Sequence, residues 1–192
     1  GRIREAMTAH QEAFRLMPSK TSYHSNMLLV SNYFGNSNAQ QLYEAHRDWD
    51  RMHGQPFSED PLYHPRDLSP GKPLRIGYMS ADFYTHSVSY FFEPLLAAHD
   101  SQAVETFCYS DVRKPDMTTK RLQDLADHWR DIAGTSDQDV AELVAEDKID
   151  ILVDLSGHTG GNRLLVFARK PAPIQVSWLG YPNTTGLKAM NY

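Results

Sequence analysis

The segment Lys148 to Asn162, KIDILVDLSGHTGGN, constrains the fold more than any other, because a nearly unbroken apolar run, Ile149 to Leu155, ends in a glycine-rich turn. A strand without polar alternation is buried on both faces, as strands inside a parallel α/β sheet are. In open sheets of that kind, ligands bind just beyond the carboxyl ends of the strands. Gly157, Gly160 and Gly161 allow a tight turn with backbone amides facing a ligand, because glycine takes positive φ freely. Asp154, His158 and Thr159 are the side chains at this strand end able to do chemistry.

The remaining periodicities place that strand in an array. Residues 2 to 17 carry Ile3, Met7, Phe14 and Met17 at helical spacing and stop at Pro18. Two further helices are expected over 22 to 33 and 38 to 53, the second with Leu42, Ala45, Trp49 and Met52 on one face, joined by a turn at Gly35 to Asn38. Between 54 and 73 five prolines and two glycines mark a linker. The pattern then changes class. Strands are expected at Leu74 to Met79, Val104 to Tyr109, near Ile132, Ile149 to Leu155 and Ile174 to Leu179. Helices are expected at Ser87 to His99, Thr118 to Asp127, Ser136 to Glu146 and Arg163 to Phe167. Such alternation implies right-handed βαβ units and a doubly wound, Rossmann-like parallel sheet, preceded by a helical region.

Composition narrows the function. At 192 residues and 41% hydrophobic, one ordinary domain with a small appendage can bury a core. The formal charge of -5, with no basic run longer than two residues, argues against a nucleic-acid partner. No apolar run reaches the roughly 20 residues of a membrane helix, and the first residues are amphipathic, so no membrane association and a cytoplasmic location are expected. The single cysteine, Cys108, lies in an apolar strand and reads as a core thiol. The chain opens on Gly1 inside a helical pattern and closes on MNY directly after a strand and loop, with no terminating element, so it is expected to be a piece of a longer protein.

Three loops fall at strand ends. SADFYTHS, Ser80 to Ser87, brings Asp82 and His86 to the edge that also carries Asp154, and histidine is suited to accept or orient a hydroxyl proton. Its structural alternative is capping of the next helix. Asp154 is costly to bury unless paired, and bonding the amides of the following turn is its alternative role. WLGYPNTTGL, Trp178 to Leu187, supplies Tyr181 and Thr184 to line a groove, or simply makes a good turn. The other histidines, including His24, His46 and His53, lie on helices or in the linker and suggest no task. No metal-ligand spacing, GxGxxG fingerprint or Walker A loop is present, so neither a metal nor a bound cofactor is expected.

LRIGYMSADFYTHSVSYFFEPLLAAHD, DKIDILVDLSGHTGGNRLLVFARKPAPIQVSWLGYPNTTG and the preceding HSNMLLVSNY resemble, in order and spacing, segments of the O-linked N-acetylglucosamine transferase family, including its bacterial and plant SPINDLY-type members. The resemblance implies tetratricopeptide repeats joined to a two-lobed GT-B unit that transfers a sugar from a nucleotide sugar to protein Ser or Thr without a metal. On that basis residues 1–18 close the last repeat, 19–73 form a helical connector and Pro-rich linker, and 74–192 form an incomplete N-terminal catalytic lobe. The second lobe, with most nucleotide-binding residues, lies outside this chain, so the piece alone is expected to be inactive. His86 falls on the family's loop histidine and Asp154 on a segment considered for proton transfer. Gly157, His158, Thr159 and Gly160 fall on the turn approaching the donor, with Tyr181 and Thr184 on the third loop. The implied donor is UDP-N-acetylglucosamine. GDP-fucose, as in SPINDLY-type proteins, is the alternative, and an inactive repeat scaffold is a second. The implied partners are Ser- or Thr-bearing protein acceptors. A nuclear location joins the cytoplasmic one if the source is eukaryotic.

Overall fold

A computed structural model describes residues 2–34, 38–57, 61–63, 65, 69 and 71–192. The chain opens with three helices, α1 Ile3–Leu16, α2 Thr21–Ser31 and α3 Ala39–Trp49. Asn38 caps α3 by accepting from the Gln40 amide, while the rest of the expected turn, 35–37, lies outside the described residues. The helical path continues past Trp49 through a π turn, Asp50–Gly54, and a 3₁₀ turn, Gln55–Phe57, so Gly54 and Pro56 belong to it rather than to the linker. A π turn adds a residue and rotates the faces. Trp49 stays buried, Asp50 and His53 turn inward, and Met52, expected on the buried face, is 49% exposed.

Five strands follow: β1 Leu74–Ser80, β2 Val104–Ser110, β3 His128–Asp131, β4 Ile151–Asp154 and β5 Ile174–Ser177. All pair in parallel, in the order β3-β2-β1-β4-β5. Chain order reverses between β1 and β4, which makes their carboxyl ends the switch point where such sheets bind ligands. Four helices cross between strands: α4 Ser87–Ala97, α5 Met117–Leu125, α6 Asp137–Glu146 and α7 Leu164–Ala168.

Alternation along the strands sorts them onto two faces. Tyr78, Cys108 and Val153 pack with Phe92 and Leu96 of α4 and Leu122 of α5. Met79, Phe107, Tyr109 and Leu152 pack with Val140 and Val144 of α6, Phe167 of α7, and Leu28 and Trp49 from the first helices. The helical segment is therefore part of the same core.

Local chemistry fixes the crossovers. Ser136, where the expected helix begins, caps α6 by accepting from the Asp139 amide. Asp116 forms a capping box on α5, and its other carboxylate oxygen accepts from the Thr85 amide, tying the loop after β1 to the start of α5. Arg163 joins three loops: it grips Asp111 with two bonds of 2.8 and 3.0 Å, reaches Asp137 at 2.9 Å, and donates to the carbonyls of Ile132 and Thr135. All five guanidinium hydrogens have an acceptor there. Arg163→Leu is expected to lower unfolding stability by about 3 kcal/mol or more, since it strands a mostly buried Asp111 carboxylate. Arg163→Lys should recover little, because an ammonium cannot span those acceptors. Urea denaturation checks both.

Candidate functional site at the carboxyl edge

The loop after β1 is held from inside. The Ser80 hydroxyl accepts from the Asp82 amide at 2.9 Å, and the Asp82 carbonyl accepts from the Ser89 hydroxyl at 2.9 Å. His86 caps α4: its Nδ1 accepts from the Val88 amide at 3.3 Å. That bond leaves the neutral ring's hydrogen on Nε2, on a side chain 37% exposed. Asp82 lies 3.9 Å from Nδ1. Burial pushes the Asp82 carboxyl up, and the nearby His86 pulls it back.

A cleft of about 570 Å³ opens here between the loops after β1, β2 and β4, with Ala81, Asp82, Tyr84, Asp111, Gly160 and Gly161 among its walls. The glycines matter for approach. Gly161 sits at φ 75, and a Cβ there would lie 2.8 Å from the Ala81 side chain. Tyr181 and Thr184 are elsewhere, beside a second hollow of about 360 Å³ after β5.

Asp154 is 1% exposed and lies beneath the edge rather than in the cleft. Its carboxylate accepts from the amides of Ser156 (3.0 Å) and Gly157 (2.9 Å) and from the Ser177 hydroxyl (3.0 Å). Burial raises its pKa and these three donors oppose that shift. The Thr159 hydroxyl donates to the Ser156 carbonyl at 2.7 Å. Gly157 sits at φ 54 with Tyr181 packed on it, so that a Cβ would come within 2.3 Å of the tyrosine. At the end of β5 the Gly180 amide bonds the Trp178 carbonyl at 2.9 Å across Leu179, whose φ is 70, a γ-turn that costs strain in a non-glycine residue. It presses Gly180 onto Leu155, where a Cβ would meet the carbonyl oxygen at 1.7 Å.

His158 is 0% exposed, and its ring enters the seam between the helical segment and the sheet. Nε2 lies 2.8 Å from the Thr185 carbonyl and Nδ1 3.0 Å from the Ser25 hydroxyl. A carbonyl only accepts, so Nε2 carries the hydrogen and Ser25 donates to Nδ1. Any contact of this residue with a ligand falls to its backbone.

Sequence reading assigned His24, His46 and His53 no task, and the structure corrects that. All three are buried around His158. His46 donates from Nδ1 to the Leu42 carbonyl, 2.6 Å away, and accepts at Nε2 from the Tyr181 hydroxyl, which itself accepts from Asn32. His24 Nδ1 faces His53 Nε2 at 3.1 Å. Trp49 packs edge-on to both His53 and His158. These residues come from segments far apart in sequence, which is why no spacing motif revealed them. Arg163 was likewise invisible as a clamp, being one basic residue before a short helix. Among the described residues no group of three or more His, Cys, Asp or Glu is placed to hold a metal ion, and no helix is long and apolar enough to cross a membrane.

A doubly wound sheet with its cleft at the switch point, backed by helices sharing its core, defines the ligand-binding lobe of an α/β protein. The pattern of glycosyl transferase family 41 matches residues 6–192, and the chain belongs to that family. It is 44% identical over 184 residues to a tomato (Solanum lycopersicum) protein named a probable UDP-N-acetylglucosamine–peptide N-acetylglucosaminyltransferase SPINDLY, covering 93% of this chain and 19% of that protein. To the Caenorhabditis elegans UDP-N-acetylglucosamine–peptide N-acetylglucosaminyltransferase it is 38% identical over 148 residues, 75% of this chain and 13% of the relative. The solved structure of a mutant Thermobaculum terrenum O-GlcNAc transferase superposes on 100% of this chain and 37% of its own length, with a TM-score of 0.94 and 41% identity. The chain thus spans about a fifth of the SPINDLY relative.

The buried histidines give the chain an acid limit. Desolvation lowers the pKa of His24 from 6.5 to about 4 and of His158 from 6.5 to about 3, and lowers His46 and His53 in the same direction. A histidine whose folded pKa lies below its unfolded value binds fewer protons when native, so its stabilisation is complete above the unfolded pKa and is lost as pH falls toward the folded one. The urea midpoint should therefore drop between pH 6.5 and about 4.5, before most carboxylates protonate, with His158 contributing a slope near ~1.4 kcal/mol per pH unit. His158→Gln should lower the neutral-pH midpoint and flatten that slope. An unchanged slope in the variant would show that His158 is not kept neutral.

Proposed function

We propose that the complete protein is a protein O-glycosyltransferase, moving N-acetylglucosamine from UDP-N-acetylglucosamine to Ser or Thr hydroxyls with inversion and without a resident cofactor, and that this chain supplies its first catalytic lobe. The observation that carries the reading is the match of the whole chain to a solved O-GlcNAc transferase at a TM-score of 0.94 and 41% identity.

His86 is the group of this lobe suited to meet the acceptor. With Nδ1 accepting from Val88, the ring offers Nε2–H to an oxygen in or beside the cleft and orients it. To take the hydroxyl proton instead, Nε2 must carry the lone pair, so the hydrogen moves to Nδ1, the bond from Val88 breaks, and the Asp82 carboxylate, now 3.9 Å from Nδ1, can close in to accept from it. Asp154 acts through the turn it holds, aligning the backbone of Gly157 to Gly161. Amides of that turn are suited to charge growing on the leaving diphosphate.

Fucose transfer from GDP-fucose is the second reading. It rests on the SPINDLY-type resemblance of the sequence, and the chain is 44% identical over 93% of its length to a SPINDLY relative against 39% over 71% to the Arabidopsis thaliana SEC protein. Offering both donors to the full-length protein with Ser/Thr peptides separates them, since a pocket that hydrogen-bonds uracil rejects guanine strongly. His86→Ala in that protein is expected to cut kcat by about 10²–10⁴ while leaving the fold intact. Full activity in that variant would remove His86 from the chemistry, and no turnover of either donor by the folded protein would favour an inactive scaffold.

A further inference from the structure

The charges of the cleft are unevenly partnered. Two carboxylates and two cations line it: Asp82, Asp111, Arg113 and Lys114. Asp111 is engaged by the paired bonds from Arg163, which also holds Asp137. Asp82 is half-buried and lies 3.9 Å from His86 Nδ1, on the side of the cleft away from the two cations' own loop. Arg113 and Lys114 are exposed, and neither makes an ion pair or hydrogen bond with a described residue. Arg113 and Lys114 are therefore the lining charges of this cleft that no carboxylate among the described residues engages, and they stand together on the loop after β2.

On the side of the loop after β2, away from the Gly160–Gly161 turn, the surroundings favour a peptide over a phosphate. The floor is apolar, with Tyr84 and Val112, and the cations stand on flexible exposed stems rather than converging from buried positions. The elements that flank the loop after β1 also carry exposed apolar side chains. Thr85 bonds Asp116, which sets Met117, 75% exposed, beside the loop, and Tyr90, 68% exposed, follows His86 by four residues along α4. An extended segment crossing this edge meets apolar contacts near His86 and positive charge at the loop after β2.

We propose that Arg113 and Lys114 form a specificity site for acidic acceptor segments, receiving Asp or Glu side chains that flank the modified Ser or Thr. The inference rests on the transferase reading for the role of the peptide, but not for its binding.

The test uses the full-length protein and three Ser/Thr peptides of equal length, flanked by Asp/Glu, by Asn/Gln, or by Lys. Binding is read by fluorescence anisotropy and transfer by kcat/KM. The acidic peptide should bind about tenfold more tightly than its amide twin at low salt, with an advantage that shrinks as salt rises. In Arg113→Glu/Lys114→Glu the ranking should reverse toward the Lys-flanked peptide. Equal binding of the acidic and amide peptides, an unchanged ranking in the double variant, or displacement of the acidic peptide by UDP or GDP alone would overturn the assignment. Transfer without an acidic preference would sink this inference and leave the transferase reading. An acidic preference that reverses in the variant, without transfer to any peptide, would do the opposite.

Discussion

The ring of His158 is the interaction on which the rest depends. It leaves the turn after β4, enters the seam beneath it, and binds Ser25 of α2 on one side and the Thr185 carbonyl on the other. One side chain thus ties the helical segment, the turn at the switch point and the loop after β5. The bonds work only with a neutral ring in one tautomer, so the seam excludes water and charge together. Breaking such a buried bond costs the desolvation of the group left unpaired, about 1–3 kcal/mol, more than the bond's own net worth.

Support and chemistry then separate by depth. Below the edge lie Asp154 with its three donors, His158 with two partners, and the chain from Asn32 through the Tyr181 hydroxyl to His46. At the edge lie Asp82, Gly160 and the exposed cations, with His86 next to them. A turn whose polar atoms are satisfied from beneath keeps its outer amides in place without help from a ligand, and this preorganisation makes electrostatic stabilisation effective.

The two layers differ in how far the sequence discloses them. The strands, their alternation with helices in a parallel sheet and the edge loops follow from apolar runs, alternation and glycines, which report on local backbone and burial, whereas the strand order and its switch point come from the structure. Ser136 announced its cap because a cap is local. The π turn at Asp50–Gly54 did not announce itself, since one added residue leaves the helical pattern intact on both sides. His24, His46, His53 and Arg163 were illegible for another reason. Their roles exist only once distant segments meet, and a buried neutral histidine is written with the same letter as an exposed one. Of the marked site residues, Asp82, His86 and Gly160 gather at or beside the cleft, Tyr181 and Thr184 line a separate hollow, and Asp154 and His158 lie below.

The division of labour between the two marked histidines is tested most directly by site-resolved ¹⁵N spectra of the imidazoles over a pH series. His158 should hold the Nε2–H tautomer unchanged as pH falls through 6.5 toward about 4, since its pKa in the folded chain lies near 3. A His158 ring that titrates near pH 6.5 in the folded protein, or holds its hydrogen on Nδ1, would contradict the buried lock and the separation of support from chemistry built on it.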